Sequence, residues 1–598
     1  MRKSLLTALL ATVVALPIAL HPAASSSAPA GSGVVAILDA TIFDGTGAAP
    51  SPGTVLIQDG RIAAVGSDVK VPRGAKIINA KGKALLPGFF DIHTHWTPGG
   101  SPSTFPQIAN AYVAAGVTTV NDFNEAPEAY APLRAWLGQM TAPHVHFAAR
   151  VSTPGGHGAD WADQATTLWV NTPEAGRAAI ESLVAYKPDL IKVFADGWRY
   201  GVSPDNTSMD EWTLRAVAQA AHTHNWPVVT HTVTVDRGLV ASRAEVDSLA
   251  HGLQDRPITA EEVAVIRKSG MAMAPTLAVY DPHKRGEVKA DDPRLQQTFR
   301  KFGYALGNVK AMFDAGIPIA LGTDAGMPGT PHGPSTLHEM ELLVQAGLTP
   351  TQALVAGTQT SAKIMRLDGD RGTIAVGKRA DIVLVDGTPW TNIKDVYKVS
   401  QVLIDGKLAY GAGAPALPAA NRTNRLPSIS VPALLDDFER DDRRSSIDTL
   451  RIDTPDGGID RSVEITQTVP RDGGGKALAL SARMAVKDNA YAGFAIPLSR
   501  GSITPAKISG YKGLRFDLKG DGPYTVRLNG LDGIWEATVQ GGTGWASQDV
   551  PFARFKPVSR RGKASPAFTG DGIIQVEIGG SRGPGQRMWL QVDNVRFY

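Results

Sequence analysis

A chain of 598 residues has room for about three or four domain-sized units, because single cores rarely grow beyond about 250–300 residues. Its 60 Lys and Arg stand against 57 Asp and Glu for a net charge of +3, with no basic run of the kind that binds nucleic acid. There is no cysteine, so disulfides, thiolate metal sites and cysteine nucleophiles are excluded, and any metal must be held by His, carboxylate or a modified side chain.

The chain opens with Met1-Arg2-Lys3, an apolar run from Leu5 to Leu20 and a small-residue stretch to Ala28. That layout is a secretory signal peptide over 1–28 rather than a membrane anchor. The expectation is an exported protein, periplasmic or secreted, with no membrane span once the leader is removed. From Gly33 onward, short strands are predicted at Val34–Leu38, Val55–Gln58, Arg61–Val65 and Lys76–Asn79, with Asp59-Gly60 as a hairpin turn. A β unit that small needs partners. Strand-like stretches at Gly372–Asp386 and Val399–Asp405 supply them, which predicts a composite β-sandwich from 33–86 and 368–411.

Between those segments, 87–367 alternates strands with amphipathic helices. Eight apolar strand candidates stand at Phe89–His95, Val117–Asn121, His144–Val151, Leu190–Phe194, Val228–His231, Ser248–His251, Met271–Thr276 and Pro318–Thr323. Helical stretches such as Pro173–Tyr186, Met209–His224, Ala260–Ser269 and Leu295–Ala315 separate several of them. This is the pattern of an α/β (β/α)8 TIM barrel. A doubly wound sheet would want a glycine-rich phosphate turn after its first strand, and none is present. A Pro/Ala/Asn-rich linker over 412–432 leads to a β-rich region, 433–598, that reads as an all-β, jelly-roll-like sandwich. Its predicted strands are Ala477–Val486, Gly493–Leu498, Gly513–Leu518, Tyr524–Leu528, Trp535–Val539, Ile574–Ile578 and Met588–Phe597. All thirteen histidines lie at or before His338, so the chemistry is expected in the barrel.

Barrels carry function at the C-terminal ends of their strands. The first strand ends in His93-Thr94-His95, and because strand side chains alternate, both imidazoles face one way. Lys192 lies inside the apolar fourth strand, His231 and His251 end the fifth and sixth, and Asp324 follows the eighth. Each has a plain structural explanation, since a lone strand-end histidine is usually a hydrogen-bonded core group. Five metal-capable residues and one buried lysine at the same end of one barrel point instead to a metal centre.

That pattern, His-x-His on strand one, Lys on four, His on five and six, and Gly-Thr-Asp on eight, resembles the metal-dependent amidohydrolase superfamily. Within it the imidazolonepropionase-like and Xaa-Pro dipeptidase (prolidase-like) branch is nearest. The resemblance spans about Gly33 to Gly411 and includes Leu86-Pro87-Gly88-Phe89, Gly116-Val117-Thr118-Thr119-Val120, Gly155-Gly156-His157-Gly158, Ala274-Pro275-Thr276-Leu277 and Gly377-Lys378-Arg379-Ala380-Asp381. It implies two divalent ions, with zinc expected. His93, His95 and Asp324 would hold the more buried ion, His231 and His251 the second, and a carboxylated Lys192 would bridge them. A buried lysine beside cations has a depressed pKa, and its neutral amine can capture carbon dioxide. The resemblance further implies a metal-activated hydroxide that attacks a scissile carbonyl, with Asp324 relaying the proton to the leaving nitrogen. His157, on a glycine-rich loop after strand three, is a candidate substrate or oxyanion contact, with a solvent-facing loop histidine as the other reading. The chain departs from the family at Val120-Asn121-Asp122-Phe123, where relatives usually carry arginine before the aspartate, and the departure bears on the substrate pocket.

The last domain is similar to the galactose-binding-like sandwiches of the complex I intermediate-associated type, through Asp436-Asp437-Phe438-Glu439, Ala492-Gly493-Phe494-Ala495 and Tyr511-Lys512-Gly513-Leu514-Arg515-Phe516. That likeness implies a carbohydrate partner, for which Trp535, Trp545 and Trp589 are candidates, with core packing as their other fate. The functional expectation is an exported hydrolase of an amide, cyclic amide or dipeptide. A lactonase or esterase on the same site, and a glycan-binding protein with a scaffold barrel, are the alternatives. Oligomeric state stays open.

Overall fold

Residues 33–96, 104–158, 166–284, 286, 288–289, 291–415, 426–458, 460–560 and 563–598 are described by a computed structural model. The leader expected at 1–28 and much of the expected linker lie outside the described residues. No helix among the described residues is long and apolar enough to cross a membrane.

Short apolar runs broken by Gly, Pro and Asp fill the first fifty described positions, and they form strands. These are β1 (Val34–Ile42), β2 (Ser51–Gln58), β3 (Arg61–Gly66), β4 (Lys76–Asn79) and β5 (Lys83–Pro87). Asp59 and Gly60 both take positive φ, 50° and 77°, which lets two residues turn β2 into β3. A Cβ on Gly60 would lie 2.9 Å from the Asp405 carbonyl oxygen, so the turn also needs glycine for space.

The barrel follows with β6 (Phe89–Thr94), β7 (Val117–Asp122), β8 (His144–Ser152), a short β9 (Thr167–Trp169), β10 (Leu190–Phe194), β11 (Val228–His231), β12 (Ser248–Ala250) and β13 (Ala272–Ala274). Seven of them pair in parallel in the order β6-β7-β8-β10-β11-β12-β13, with β9 added beside β8. Nearly every residue of these strands is buried, as expected where helices cover one face and the barrel interior fills the other. The helices are α1 (Phe105–Ala114), α2 (Tyr130–Leu137), α3 (Pro173–Ser182), α4 (Glu211–Thr223), α5 (Val235–Arg243), α6 (Ala260–Ser269), α7 (Leu277–Tyr280), α8 (Gln296–Asp314) and α9 (Pro334–Gln345).

The eighth stave, predicted as a strand at Pro318–Thr323, is irregular. It still closes the ring by backbone hydrogen bonds: Met273 N to Pro318 O (3.0 Å) and Ala320 N to Met273 O (2.8 Å) on one side, Ile92 N to Leu321 O (3.0 Å), Asp324 N to His93 O (2.8 Å) and His95 N to Ala325 O (2.7 Å) on the other. Asp324 sits at φ 60°, so the backbone turns out of strand geometry where its carboxylate is presented. Asp91 makes up for the broken ladder. Its buried carboxylate accepts Thr323 N (3.1 Å), Thr323 Oγ1 (2.7 Å) and Thr336 Oγ1 (2.8 Å).

After the barrel, β14 (Ile382–Asp386), β15 (Val399–Ile404) and β16 (Lys407–Gly411) rejoin the first sheet. Its order is β16-β15-β14-β5-β1-β2-β3, with β14 antiparallel to β5 from Ile382 opposite Pro87 to Asp386 opposite Lys83. Chain segments about 300 residues apart thus share one sheet around a core of Ile37, Val55, Ile62, Leu85, Ile382 and Leu403.

The C-terminal region packs two mainly antiparallel sheets around Leu480, Phe494, Phe516, Val526, Trp535, Ile578 and Leu590. Ile429–Ser430 already pairs with Ala506–Lys507 at one edge. Trp535 belongs to this core and donates Nε1–H to Pro566 O at 2.8 Å, while Trp545 lies beneath the Arg471 guanidinium at 4.4 Å.

Glu464, on the strand Val463–Pro470, accepts Gly493 N at 2.8 Å. Burial, with Asp453 and Asp456 nearby, raises its carboxyl pKa to about 8. A carboxyl raised on folding stabilises the protein fully below its unfolded pKa, and that contribution is lost as pH rises toward the folded value. Glu464→Gln keeps the acceptor and cannot ionise. Between pH 5 and 8 the natural protein should lose more melting temperature than the variant, and the variant should be the more stable at pH 8, as calorimetry of both would show.

Candidate metal centre

The six barrel residues singled out in the sequence come together at the C-terminal end of the strands. Alternation along β6 sends His93 and His95 to one side. His93 Nε2 lies 3.3 Å and His95 Nε2 3.1 Å from the same Asp324 Oδ1, and Lys192 Nζ lies 3.3 Å from His93 Nε2. The His251 ring packs 4.7 Å from His93 and 4.6 Å from His231, centre to centre. One ligand atom from each of His93, His251 and Asp324 falls within a 4.8 Å span. His251 Nδ1 is hydrogen-bonded to Thr276 Oγ1 at 2.7 Å, which leaves Nε2 for the site. The loop residue His157 stacks on His231 with ring centres 4.1 Å apart, at the edge of the same cluster.

Burial sets the charge state. It drives the His93 pKa down to about 3, with Lys192 adding to the effect, and lowers His95, His231 and His251 as well. All four imidazoles are therefore neutral, the form that donates a lone pair. Burial pushes the Asp324 carboxyl up, but His93 and His95 outweigh it and hold the group well below the usual carboxylate range. Lys192, also fully buried, falls to about 7 through desolvation, against the pull of Asp324 and with help from Arg150. Its amine is thus substantially neutral at physiological pH.

The donor set fits a metal. The Nε2 of His231 is buried with no hydrogen-bond partner, while the Nε2 atoms of His93 and His95 converge on one carboxylate oxygen. A second grouping, His144, Asp381 and Asp405, lies where β8 begins, at the other end of the barrel. There Arg379 binds Asp405 and Arg371 stands 3.7 Å from Asp381, so arginines already answer those carboxylates.

Several neighbours escaped the sequence reading. Phe123 is fully buried with its ring 4.5 Å from His93 and 4.8 Å from Lys192 Nζ. Arg150 is buried inside β8 and lies over the Phe194 ring at 5.2 Å. Its signal, a charge within Ala148-Ala149-Arg150-Val151, is the one that exposed Lys192. Tyr200 and Tyr280 join hydroxyl to hydroxyl at 3.0 Å, and the Tyr280 ring meets His251 edge-on at 5.6 Å. Nothing in the sequence pairs those two tyrosines.

The Amidohydrolase family matches residues 84–409, more than half of the chain. The imidazolonepropionase of Geobacillus sp. (strain WCH70) is 26% identical over 377 residues, covering 56% of this chain and 84% of that protein. The 5'-deoxyadenosine deaminase of Methanobrevibacter smithii is 23% identical over 422 residues, 62% of this chain and 92% of that one. In structure, a Xaa-Pro dipeptidase with methionine bound in its active site superposes with a TM-score of 0.55 at 22% identity, over 64% of this chain and all of that chain, and so shares the fold.

If Thr276 holds His251 in the ligating tautomer, Thr276→Val should weaken divalent-metal affinity about 10- to 100-fold, the usual penalty for losing such a partner. Titration against a chelator of known strength would measure it, and unchanged affinity would remove Thr276 from the site.

Proposed function

The chain belongs to the amidohydrolase family and is a hydrolase of carbon–nitrogen bonds, and on that premise we propose an exported enzyme with two zinc ions that cleaves an amide in a dipeptide or cyclic amide. The observation that carries the reading is the convergence of neutral imidazoles on Asp324 beside a buried lysine whose pKa has fallen to about 7.

His93, His95 and Asp324 would hold one ion and His231 and His251 the other, with Lys192 between them as a carbamate. Forming it joins the neutral Nζ to carbon dioxide and releases one proton, which turns a group of wrong charge into an anionic bridging ligand. The bound ions would supply Lewis-acid polarisation of the scissile carbonyl and acidify a water. The protein's part is positioning and proton transfer. Asp324, with one oxygen between two imidazoles, receives the proton of the attacking water and delivers it to the leaving nitrogen. His157, stacked on His231, would contact the substrate or its developing oxyanion. Phe123, Phe194 and the buried strand ends keep bulk water away from these charges.

Lys192→Ala tests the bridge. The variant should lose the two-metal site, measured by elemental analysis, and at least about 10³-fold in turnover on the best of a dipeptide, N-acyl amino acid and lactone panel. Acetate or propionate, entering the vacated space, should restore part of both. Lys192→Arg should not respond, because its guanidinium keeps its charge and fills the space. Full metal occupancy in the alanine variant would end the carbamate assignment, and turnover confined to lactones would move the substrate class to esters.

A further inference from the structure

The C-terminal sandwich does not hang from the barrel. Arg444 reaches across to Glu128, with Nη2 2.5 Å from Oε1 and Nη1 3.3 Å from Oε2, and its Nη2 also donates to Tyr186 Oη at 3.1 Å. The pair is sheltered, with the side chains of Arg444 and Glu128 only 16% and 6% exposed, so water screens it little. Beside it, Gly501 at φ 64° presses on the barrel so closely that an added Cβ would lie 2.5 Å from the Ala129 Cα. Ile503, two residues on, is 2% exposed and packs in the barrel's apolar cluster rather than in the sandwich's own. A second contact sets the Arg461 guanidinium over the ring of Trp169, at the end of β9, at 4.6 Å.

The barrel residues gripped are not remote from the metal centre. Glu128 and Ala129 form the single turn Pro127–Ala129 that follows β7, only a few residues beyond Asp122 and Phe123. Phe123 N donates to Thr94 O at 2.8 Å, and Asp122 Oδ1 accepts Trp96 N at 3.1 Å, so this connection is tied to the residues on both sides of His95. The Phe123 ring packs against His93 and lies 4.8 Å from Lys192 Nζ.

From these contacts we infer that the sandwich is a positioning element of the catalytic unit: Arg444, Gly501 and Ile503 hold the connection after β7 so that Phe123 keeps His93 and Lys192 in place. Stiff support around first ligands is what fixes metal geometry, and this support is supplied from another domain. The inference rests on the metal-centre reading above and adds to it that residues more than 300 positions from the connection after β7 govern the site.

The test uses the full-length protein with Arg444→Ala and, as a second route, Gly501→Val, which pushes on Ala129 without removing a charge. Hydrogen exchange at 91–96 and 121–129 should quicken at least tenfold in both variants while the sandwich strands stay protected. The visible spectrum of the cobalt(II)-substituted protein should shift, and Arg444→Lys, which keeps one arm of the contact, should fall between. Unchanged exchange at 121–129 in both variants would overturn the clamp, as would faster exchange there with an unaltered cobalt spectrum. Should Arg444→Ala fail to fold, Glu128→Gln, which removes only the charge of the pair, gives the same readouts. A natural protein that binds no cobalt would count against the metal centre alone, since the exchange measurement judges the clamp by itself.

Discussion

The structure turns on how the barrel is closed. Seven strands pair in parallel, but the eighth stave has to do two things that conflict. It must carry hydrogen bonds to β13 and β6, and it must deliver the Asp324 carboxylate to a point between His93 and His95. A regular strand would satisfy the first demand only. The chain leaves strand geometry at Asp324, and Asp91, buried beneath, accepts the hydrogen bonds of Thr323 and Thr336 that hold the irregular stave down. The closing seam and the metal centre are one piece of structure.

Three of the site's supporting positions also carry backbone strain. His251, Thr276 and Asp324, at the ends of the sixth, seventh and eighth staves, all have positive φ, 87°, 48° and 60°, though none is glycine. Each such residue costs about 1–2 kcal/mol relative to ordinary backbone and persists only where its surroundings over-determine it. Here the surroundings are identifiable. Thr276 is hydrogen-bonded to His251, and the buried Glu339 accepts the N–H groups of Leu277 and Ala278 just after the strained Thr276. At these three positions the strained backbone aims a ligand or the residue that holds one, which is where such conformations persist when geometry matters more than local stability.

How much of this was legible follows from what each feature leaves in a sequence. The parity of β6 makes the His93/His95 pair visible, and a lysine inside Leu190–Phe194 is conspicuous because nothing apolar explains it. Strand–helix alternation with eight apolar segments yields the barrel. The eighth stave reads as apolar and therefore as a strand, because its irregularity lies in hydrogen-bond partners that its composition does not encode. Phe123 looks like any core aromatic. The Tyr200–Tyr280 pair joins a turn to the end of α7, 80 residues apart, and no local pattern anticipates their meeting. The composite sheet was accessible because both of its halves consist of short apolar segments bounded by turn residues, while the partner of each strand became known only from the register.

The domain boundary shows the same limit from the other direction. Composition changes cleanly near residue 430, and two apolar clusters do form on either side of it. Yet Ile503, deep in the β-rich region by sequence, belongs by packing to the barrel cluster, and Gly501 has its conformation and its missing side chain because Ala129 is there. Docking surfaces carry no periodicity, since they arise from single residues on turns. Sequence texture therefore divides this chain by how each part folds locally, and packing divides it by which surfaces exclude water together. For this protein the second division puts a turn of the sandwich inside the unit that holds the metal ligands.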